Sequence, residues 1–106
     1  MVSSSLDHEM ICKKLKEIYI DKHADYGNSF GESFIEWGLI SAAVRMDDKM
    51  RRLKQLAKGN TARVKTESIR DTLMDLANYA IMTVMELDKR ELERMTSVAE
   101  NPLVKE

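Results

Sequence analysis

Side chains able to do acid or metal chemistry are concentrated in one segment in the second half of the chain. Four of them follow one another at i, i+4, i+8 and i+11, namely Glu67, Asp71, Asp75 and Asn78. At about 100° per residue, this spacing places them within about 80° of arc on one helix. Methionines flank the same sector, and carboxylates beside apolar side chains cost free energy unless a cation pairs with them. The pattern predicts either a site for a hard cation such as Mg²⁺ or ion pairs with Lys and Arg of a neighbouring helix.

A second charged pattern lies about twenty residues earlier and is mainly basic. Arg45, Asp48, Lys49 and Arg52 occur at i, i+3, i+4 and i+7, which places them on one helix face. Arg and Lys bind phosphate, and Asp48 could add a metal ligand. Alternatively, Asp48 bridges Arg45 and Arg52 in a solvated ladder whose ion pairs are each worth little. For this helix taken alone, the ladder is the favoured interpretation.

The segment "KHADYGNSF", residues 22–30, is the least helical stretch of the chain. It places a tyrosine, a glycine and an asparagine between two amphipathic segments. Gly27-Asn28 is typical of a turn. The segment is therefore predicted to connect two helices.

The glycines and the only proline divide the remaining sequence into three helical blocks and a tail. The blocks are predicted at about 7–23, from Gly31 to Lys58 with a short helical turn through Glu36, and at about 64–95. Gly59 is predicted to be a left-handed cap of the second block. Because no strand-like alternation of useful length occurs, the expected fold is all-α. Residues 1–95 would form a single domain, and residues 96–106 a loose or docking tail.

The third block is apolar on two sides. One side carries Ile69, Leu73, Leu76, Ala80, Val84 and Leu87. The nearly opposite side carries Met74, Ile81, Met82 and Met85. The narrow sector that is predicted to face water holds Ser68, Tyr79, Glu86 and Arg90. A helix with two apolar sides is central in its domain or shared between subunits, so a homo-oligomer (dimer or tetramer) is expected, with a self-contained bundle as the alternative.

Composition excludes several classes of protein. At 106 residues the chain is large enough for one domain with its own core. Its net charge of -1 disfavours general nucleic-acid binding. Cys12 is the only cysteine, which excludes an intramolecular disulfide and favours a reducing cytoplasm. No signal-peptide pattern opens the sequence, and the most apolar run is too short to span a membrane, so a cytoplasmic protein without a membrane partner is expected.

Three ordered motifs carry a family resemblance that covers roughly residues 10–90. They are "KHADYGNSF", "RMDDKMRRL" (residues 45–53) and "ESIRDTLMDLANYAI" (residues 67–81). Together they resemble the nucleotide modification associated domain, type 1, which is common in phages and bacteria. The arrangement is more distantly similar to the all-α nucleoside triphosphate pyrophosphohydrolases, which include MazG-like enzymes and dimeric dUTPases. This resemblance implies a small antiparallel bundle of three to four helices, completed by oligomerisation.

The distant resemblance also implies site residues. Those enzymes bind Mg²⁺ through E-x-x-E and E-x-x-D on successive helices and release pyrophosphate from a nucleoside triphosphate. Here the corresponding pairs, Glu32/Glu36 and Glu67/Asp71, are one residue further apart. The catalytic residues implied are Glu67, Asp71 and Asp75, with Glu36 or Asp48 completing the Mg²⁺ ligands. The substrate-binding residues implied are Tyr26, Asn28, Arg45, Lys49, Arg52 and Asn78, with Tyr26 and Asn28 against the base; Tyr26 could equally anchor the helix junction.

Three functions follow as hypotheses. The first is a Mg²⁺-dependent nucleotide pyrophosphohydrolase acting on a nucleotide that could be modified, in a bacterial or phage-infected cell. The second is a noncatalytic nucleotide-binding oligomer, such as a sponge or sensor of a nucleotide signal in phage–host conflict. The third is a structural interaction protein. The longer acidic spacing favours the second and third, whereas acidic and basic faces beside a polar turn favour the first and second.

Overall fold

The chain folds into four helices. The computed structural model describes residues 4–59 and 62–100, and the side chains of residues 4–59 and 67–97. The helices are α1 (Ser4–Tyr26), α2 (Ser29–Trp37), α3 (Leu39–Lys58) and α4 (Ala62–Glu100). Within the described residues there is no strand, so the predicted all-α fold is confirmed.

The predicted turn between the first two helices is present but is shorter than the motif that indicated it. α1 continues to Tyr26 and α2 begins at Ser29, which leaves only Gly27 and Asn28 between them. Gly27 has φ +68, a left-handed conformation that costs glycine little, and its N–H donates to the carbonyl of His23 at 2.8 Å. This residue ends α1 and turns the chain into α2.

The second predicted block is two helices rather than one. Gly38 separates α2 from α3 with φ 77 and ψ -159, a backbone conformation open essentially to glycine alone. Its N–H donates to the carbonyl of Phe34 at 2.7 Å, and its carbonyl accepts from the N–H of Ser41 at 3.1 Å. The short helical turn predicted through Glu36 is thus a helix of its own, α2. The corner at Gly38 was not predicted, because periodicity does not register a sharp bend made by one residue.

The other two helix ends also differ from expectation. Gly59 has φ -69 and ψ 164, so the chain leaves α3 in an extended conformation and the predicted left-handed cap is wrong. α4 continues to Glu100, into the segment predicted as a tail, and residues 101–106 of that tail lie outside the described residues. None of the described helices combines the length and apolar character needed to cross a membrane.

The core lies where α2, α3 and α4 meet. Phe34 is fully buried, and it clusters with Phe30 and Ala42. Partly buried Met46, Tyr79 and Met82 pack against this cluster. Burial of an aromatic side chain is worth several kcal/mol of transfer free energy at about 25 cal/mol per Å², so α2 docks mainly through its two phenylalanines.

α1 joins the bundle through fewer contacts. Leu15 is its buried residue. The carbonyl of Leu15 accepts a hydrogen bond of 3.1 Å from the Nδ2 of Asn78, which is itself 8% exposed. A buried amide without a partner would cost free energy, so this bond ties the two helices at one height.

Part of the sector of α4 that was predicted to face water packs inward instead, while Arg90 is exposed as predicted. The Tyr79 ring stacks on Phe30 with centroids 5.9 Å apart, and the Arg90 guanidinium lies 4.9 Å from the centroid of the Phe34 ring. Glu86 is only 8% exposed. The prediction is wrong for Tyr79 and Glu86. The Phe30 ring of α2 offers an aromatic face on which the Tyr79 ring stacks, and this contact draws that side of α4 inward.

Candidate functional site

A cavity of about 520 Å³ opens where the end of α1, the turn after it, and the facing sides of α3 and α4 come together. All three tyrosines of the protein, Tyr19, Tyr26 and Tyr79, line it, together with Phe30. We call it the tyrosine cavity. Four of the six aromatic residues of the sequence therefore converge on this one cavity.

The aromatic rings form one fixed wall and one free edge. The rings of Phe30 and Tyr79 are nearly parallel, at 15°, and are held in the core cluster. Tyr26 is 73% exposed at the end of α1, so its ring is free to cover a ligand. Aromatic faces of this kind stack with nucleobases and contribute about 1–3 kcal/mol per base.

Three side chains bring positive charge to the cavity: Lys22, Arg45 and Lys89. Two of these are already paired with lining carboxylates. Lys22 Nζ lies 2.7 Å from Asp75, and Lys89 Nζ lies 3.4 Å from Glu86. Among the residues that the structure describes, Arg45 makes no ion pair; its Nη2 donates to Ser33 Oγ at 3.2 Å. Its guanidinium, 5.4 Å from the Phe30 ring centroid, is therefore oriented yet electrically unneutralised.

The start of α2 adds a fourth source of positive potential. Asn28 occupies the N-cap position but makes no side-chain capping hydrogen bond, and Gly27, Asn28, Ser29 and Phe30 all line the cavity. The first backbone N–H groups of a helix have no intrahelical acceptor, and the helix dipole favours an anion at this end. Combined with Arg45, this helix end makes the mouth of the cavity suited to a phosphate group.

Asp75 is held by lysines from two other helices. Lys22 of α1 contacts Oδ1 at 2.7 Å, and Lys49 of α3 contacts Oδ2 at 3.2 Å. Partial burial would raise the pKa of the Asp75 carboxyl, but the hydrogen bonds and charges of the two lysines together outweigh it and hold the pKa below its usual value. The same hydrogen bond raises the pKa of Lys22. Asp75, Lys22 and Lys49 thus form an ion triad that connects α1, α3 and α4 beside the cavity, and we call this triad the clamp.

The clamp makes stability depend on pH at both extremes. Because the pKa of Asp75 is lowered on folding, its contribution is present at neutral pH and is lost as pH falls below about 4. Because the pKa of Lys22 is raised, its contribution is lost only as pH rises beyond the usual lysine range.

We expect Asp75→Asn to unfold more easily than the wild type at pH 7, by at most about 1 kcal/mol since Lys22 is half exposed, and the difference to vanish in strong acid. Urea titrations at several pH values measure this; a difference that grows in acid would contradict it.

The structure brings together one part of the predicted site and leaves out another. Five predicted residues line the tyrosine cavity: Tyr26, Asn28, Arg45, Asp75 and Asn78. Lys49 adjoins them through Asp75. Four predicted carboxylates are exposed and do not line the cavity: Glu36, Asp48, Glu67 and Asp71. Arg52 points instead at Thr72, whose Oγ1 accepts from its Nε at 3.3 Å.

The carboxylates do not gather as a metal site would require. No group of three or more His, Cys, Asp or Glu side chains among those described is placed to hold a metal ion. Asp75 instead follows the alternative prediction, an ion pair with a basic residue of the neighbouring helix, which is Lys49. The ladder through Asp48 is also absent, because Arg51 pairs with Asp47 at 2.7 Å while Arg45 and Arg52 bind hydroxyls. The described donor set does not fit Mg²⁺ within one chain, and bound Mg²⁺ stays a prediction of the acidic spacing and of the distant resemblance.

Several lining residues were not singled out by sequence. Tyr19 and Lys22 lie at i and i+3 of α1, on the face that the predicted Tyr26 continues at i+7, and Tyr79 and Lys89 lie about three turns apart on α4. Each set shares one helix face, a signal that helical periodicity contains. That the two faces oppose each other depends on how α1 docks, which the sequence pattern does not encode.

Fold and cavity together define a small all-α domain with an aromatic, locally cationic pocket at the junction of its helices. A family model described as Nucleotide modification associated domain 1 matches residues 22–87, well over half of the chain, and the protein belongs to this family. No curated protein and no solved structure gives a significant match. The first resemblance is confirmed, and the matched segment contains most of the cavity lining, with Tyr19 and Lys89 just outside it. Similarity to the pyrophosphohydrolases finds no support in these comparisons.

Proposed function

We propose that this protein binds a nucleotide, or a related phosphorylated nucleoside, in the tyrosine cavity without hydrolysing it. The observation that carries the proposal is the convergence of all three tyrosines with an unneutralised arginine in one cavity. The volume of about 520 Å³ falls within the range of about 300–1,000 Å³ that is usual for small-molecule sites. The family description, which concerns nucleotides, agrees with this ligand class.

The chemistry of the lining suggests how a nucleotide would lie. Its base would stack between the exposed ring of Tyr26 and the wall formed by Tyr79 and Phe30. Its phosphate would accept hydrogen bonds from Arg45 and from the first N–H groups of α2. Arg45 is preorganised for this role by Ser33, so little side-chain entropy is lost on binding.

The ion pairing and the positions of the carboxylates favour nucleotide binding over hydrolysis. Metal-assisted hydrolysis needs several carboxylate oxygens converging on one ion. Here Asp75 is neutralised by Lys22 and Lys49, and Glu86 by Lys89. The remaining predicted ligands, Glu67 and Asp71, are exposed and outside the cavity. Such a lining fits a protein that sequesters or senses a nucleotide.

The proposal is tested by isothermal calorimetry with a panel of nucleoside mono-, di- and triphosphates, each in Mg²⁺ and in EDTA. We expect at least one nucleotide to bind in EDTA, with no pyrophosphate or phosphate released on prolonged incubation with Mg²⁺. Release of pyrophosphate at many turnovers would overturn the noncatalytic assignment. A panel in which no nucleotide binds would overturn the ligand class.

Asp75→Asn should strengthen nucleotide binding if the protein only binds nucleotides and should weaken it if the protein is a hydrolase. For a binding protein, removing this carboxylate frees Lys22 and Lys49 to attract phosphate, and at an effective dielectric of about 20 a charge some 10 Å away is worth about 1–2 kcal/mol before salt screening. We therefore expect the Kd for a nucleoside triphosphate to fall roughly fivefold, measured by calorimetry at low salt. For a hydrolase, the same variant would abolish turnover and weaken metal-dependent binding.

Asp71→Asn is the matched control for this variant. It makes the same change one turn earlier on α4, at an exposed position outside the cavity. We expect its Kd to stay within about twofold of the wild type, since an exposed charge is largely screened at this range. Equal loss of nucleotide affinity or of turnover in both variants would instead support the paired catalytic role that the distant resemblance implies.

A further inference from the structure

α4 carries a stripe of apolar residues that nothing in the described chain covers. Its members are Leu73, Ala77, Ala80, Val84 and Leu87, and we call it the α4 stripe. Their spacings alternate between four and three residues, which is the heptad pattern of a helix seam that packs against a second helix. On the helix this stripe lies opposite Met82 of the tyrosine cavity, about half a turn away.

In a complete globular domain the apolar side of a helix is buried and the polar side is exposed, but α4 shows the reverse. Leu73, Val84 and Leu87 are 45%, 55% and 43% exposed, while Thr72, Thr83 and Glu86 on the other side of the helix are buried. Exposed leucines and valines cost free energy in water, and contiguous apolar patches of this kind mark interaction surfaces. The inward-facing side of α4 is thus the more polar one.

The surface area of the chain also exceeds that of a compact monomer. The accessible surface is 8530 Å² for a chain of 12.2 kDa, whereas a compact protein of this mass exposes about 6,100 Å². The radius of gyration is 18.0 Å, against about 13 Å for a compact domain of this length. One third of the surplus area would already supply the roughly 800 Å² that each partner contributes to a standard interface.

We propose that the α4 stripe is the seam of a homodimer in which two copies of α4 pack antiparallel about a two-fold axis near Ala80. In this register Leu73 of one copy lies opposite Leu87 of the other, and Ala77 lies opposite Val84. The alanines at the centre allow the helix backbones to approach closely, and the leucines at the ends close the seam. A two-fold axis uses the same surface on both copies, as one self-complementary stripe requires.

Charge along one edge of the stripe selects the antiparallel orientation. Arg70 and Asp88 are eighteen residues apart, five full helical turns, so they lie on the same edge at opposite ends of the stripe. Both are exposed, and neither is in an ion pair with any residue that the structure describes. Antiparallel packing keeps this edge on the same side of both copies and brings Arg70 near the partner's Asp88 at both ends. Parallel packing would put the edge on opposite sides of the seam in the two copies, and these pairs would not form.

Particle mass tests the seam. Sedimentation equilibrium of the full chain across a dilution series is expected to give an assembly of at least twice 12.2 kDa. Val84→Glu is expected to halve the particle mass, because two carboxylates would face the centre of an apolar seam. Ile35→Glu is the matched control, since it makes the same kind of change at a 74% exposed residue of α2, and it should leave the mass unchanged. A wild-type mass of 12.2 kDa at every concentration, or dissociation by Ile35→Glu but not Val84→Glu, would overturn the proposal.

Exchanging the charges of Arg70 and Asp88 tests the antiparallel orientation of the two helices. Both residues are exposed, so their replacement should leave folding intact. Arg70→Glu and Asp88→Arg should each weaken the dimer several-fold, because each converts two attractive pairs into repulsive ones. The double variant restores both pairs with reversed sign and should recover wild-type affinity. Circular dichroism checks that helix content is unchanged in each variant. A double variant weaker than either single variant would exclude the antiparallel seam.

Discussion

Replacing Phe34 with alanine is expected to lower the free energy of unfolding by about 3–5 kcal/mol. Phe34 is 0% exposed, the largest fully buried side chain among those that the structure describes, and it joins α2 to α3 and α4. The change removes the aromatic burial, leaves a cavity, and takes away the ring on which the Arg90 guanidinium lies at 4.9 Å. Since domains of this size are stable by only about 5–15 kcal/mol, the variant should be close to unfolding at physiological temperature. Urea titration followed by circular dichroism measures the change.

The neighbouring residue supplies the control for this substitution. Ile35→Ala removes an apolar side chain from the same helix at a position that is 74% exposed, and we expect a change within about 0.5 kcal/mol. Phe34→Leu should recover part of the loss because it refills much of the cavity. A Phe34→Ala protein as stable as Ile35→Ala would mean that α2 does not dock through Phe34.

Replacing Arg45 with alanine is expected to weaken nucleotide binding roughly ten- to hundredfold, corresponding to about 1.5–3 kcal/mol for charge-assisted hydrogen bonds. Arg45 is the cation in the cavity lining that has no carboxylate partner among the described residues, so its charge is available to a phosphate. Ser33 and the Phe30 ring hold its guanidinium in place. Calorimetry with the best nucleotide of the panel gives the change in Kd, and a thermal melt confirms that folding is intact.

The same helix contains a matched control in Arg52. It is two turns further along α3, donates to Thr72 and does not line the cavity. We expect Arg52→Ala to leave Kd within about twofold, as a screened distant charge should. Arg45→Lys should bind with intermediate affinity, because lysine keeps the charge but loses the two-pronged donor geometry. Loss of binding in Arg52→Ala with none in Arg45→Ala would place the phosphate elsewhere.

The fate of Asp75 shows where sequence reasoning stops. Its place on an acidic helix face follows from spacing, and spacing alone left metal ligation and ion pairing equally open. Lys22 comes from a helix more than fifty residues earlier, and its 2.7 Å contact with Asp75 exists only because α1 docks on α4. The electrostatic role of a carboxylate depends on charges within a few ångströms, and those come from remote parts of the chain.

The orientation of α4 shows the same limit for the fold. Periodicity correctly predicted a long helix with apolar residues on two sides, but it placed Tyr79 and Glu86 in water. Which side of α4 turns inward was decided by Phe30 and Phe34, whose rings accept the tyrosine and the guanidinium. The side chains that cover a helix face belong to other helices and reach it only after docking. The periodicity of one helix therefore does not show which of its faces becomes the more buried.

Three properties could be predicted from the amino-acid sequence: the all-α fold, the turn at Gly27-Asn28 between the first two helices, and membership of the family. These properties depend on neighbours a few residues apart, through helical period, backbone conformation and local motif order. Three others became visible in the folded chain: the corner at Gly38, the neutralisation of Asp75 by two lysines, and the meeting of the tyrosines in one cavity. These properties arise from the packing of helices distant in sequence, where burial and charge act through space.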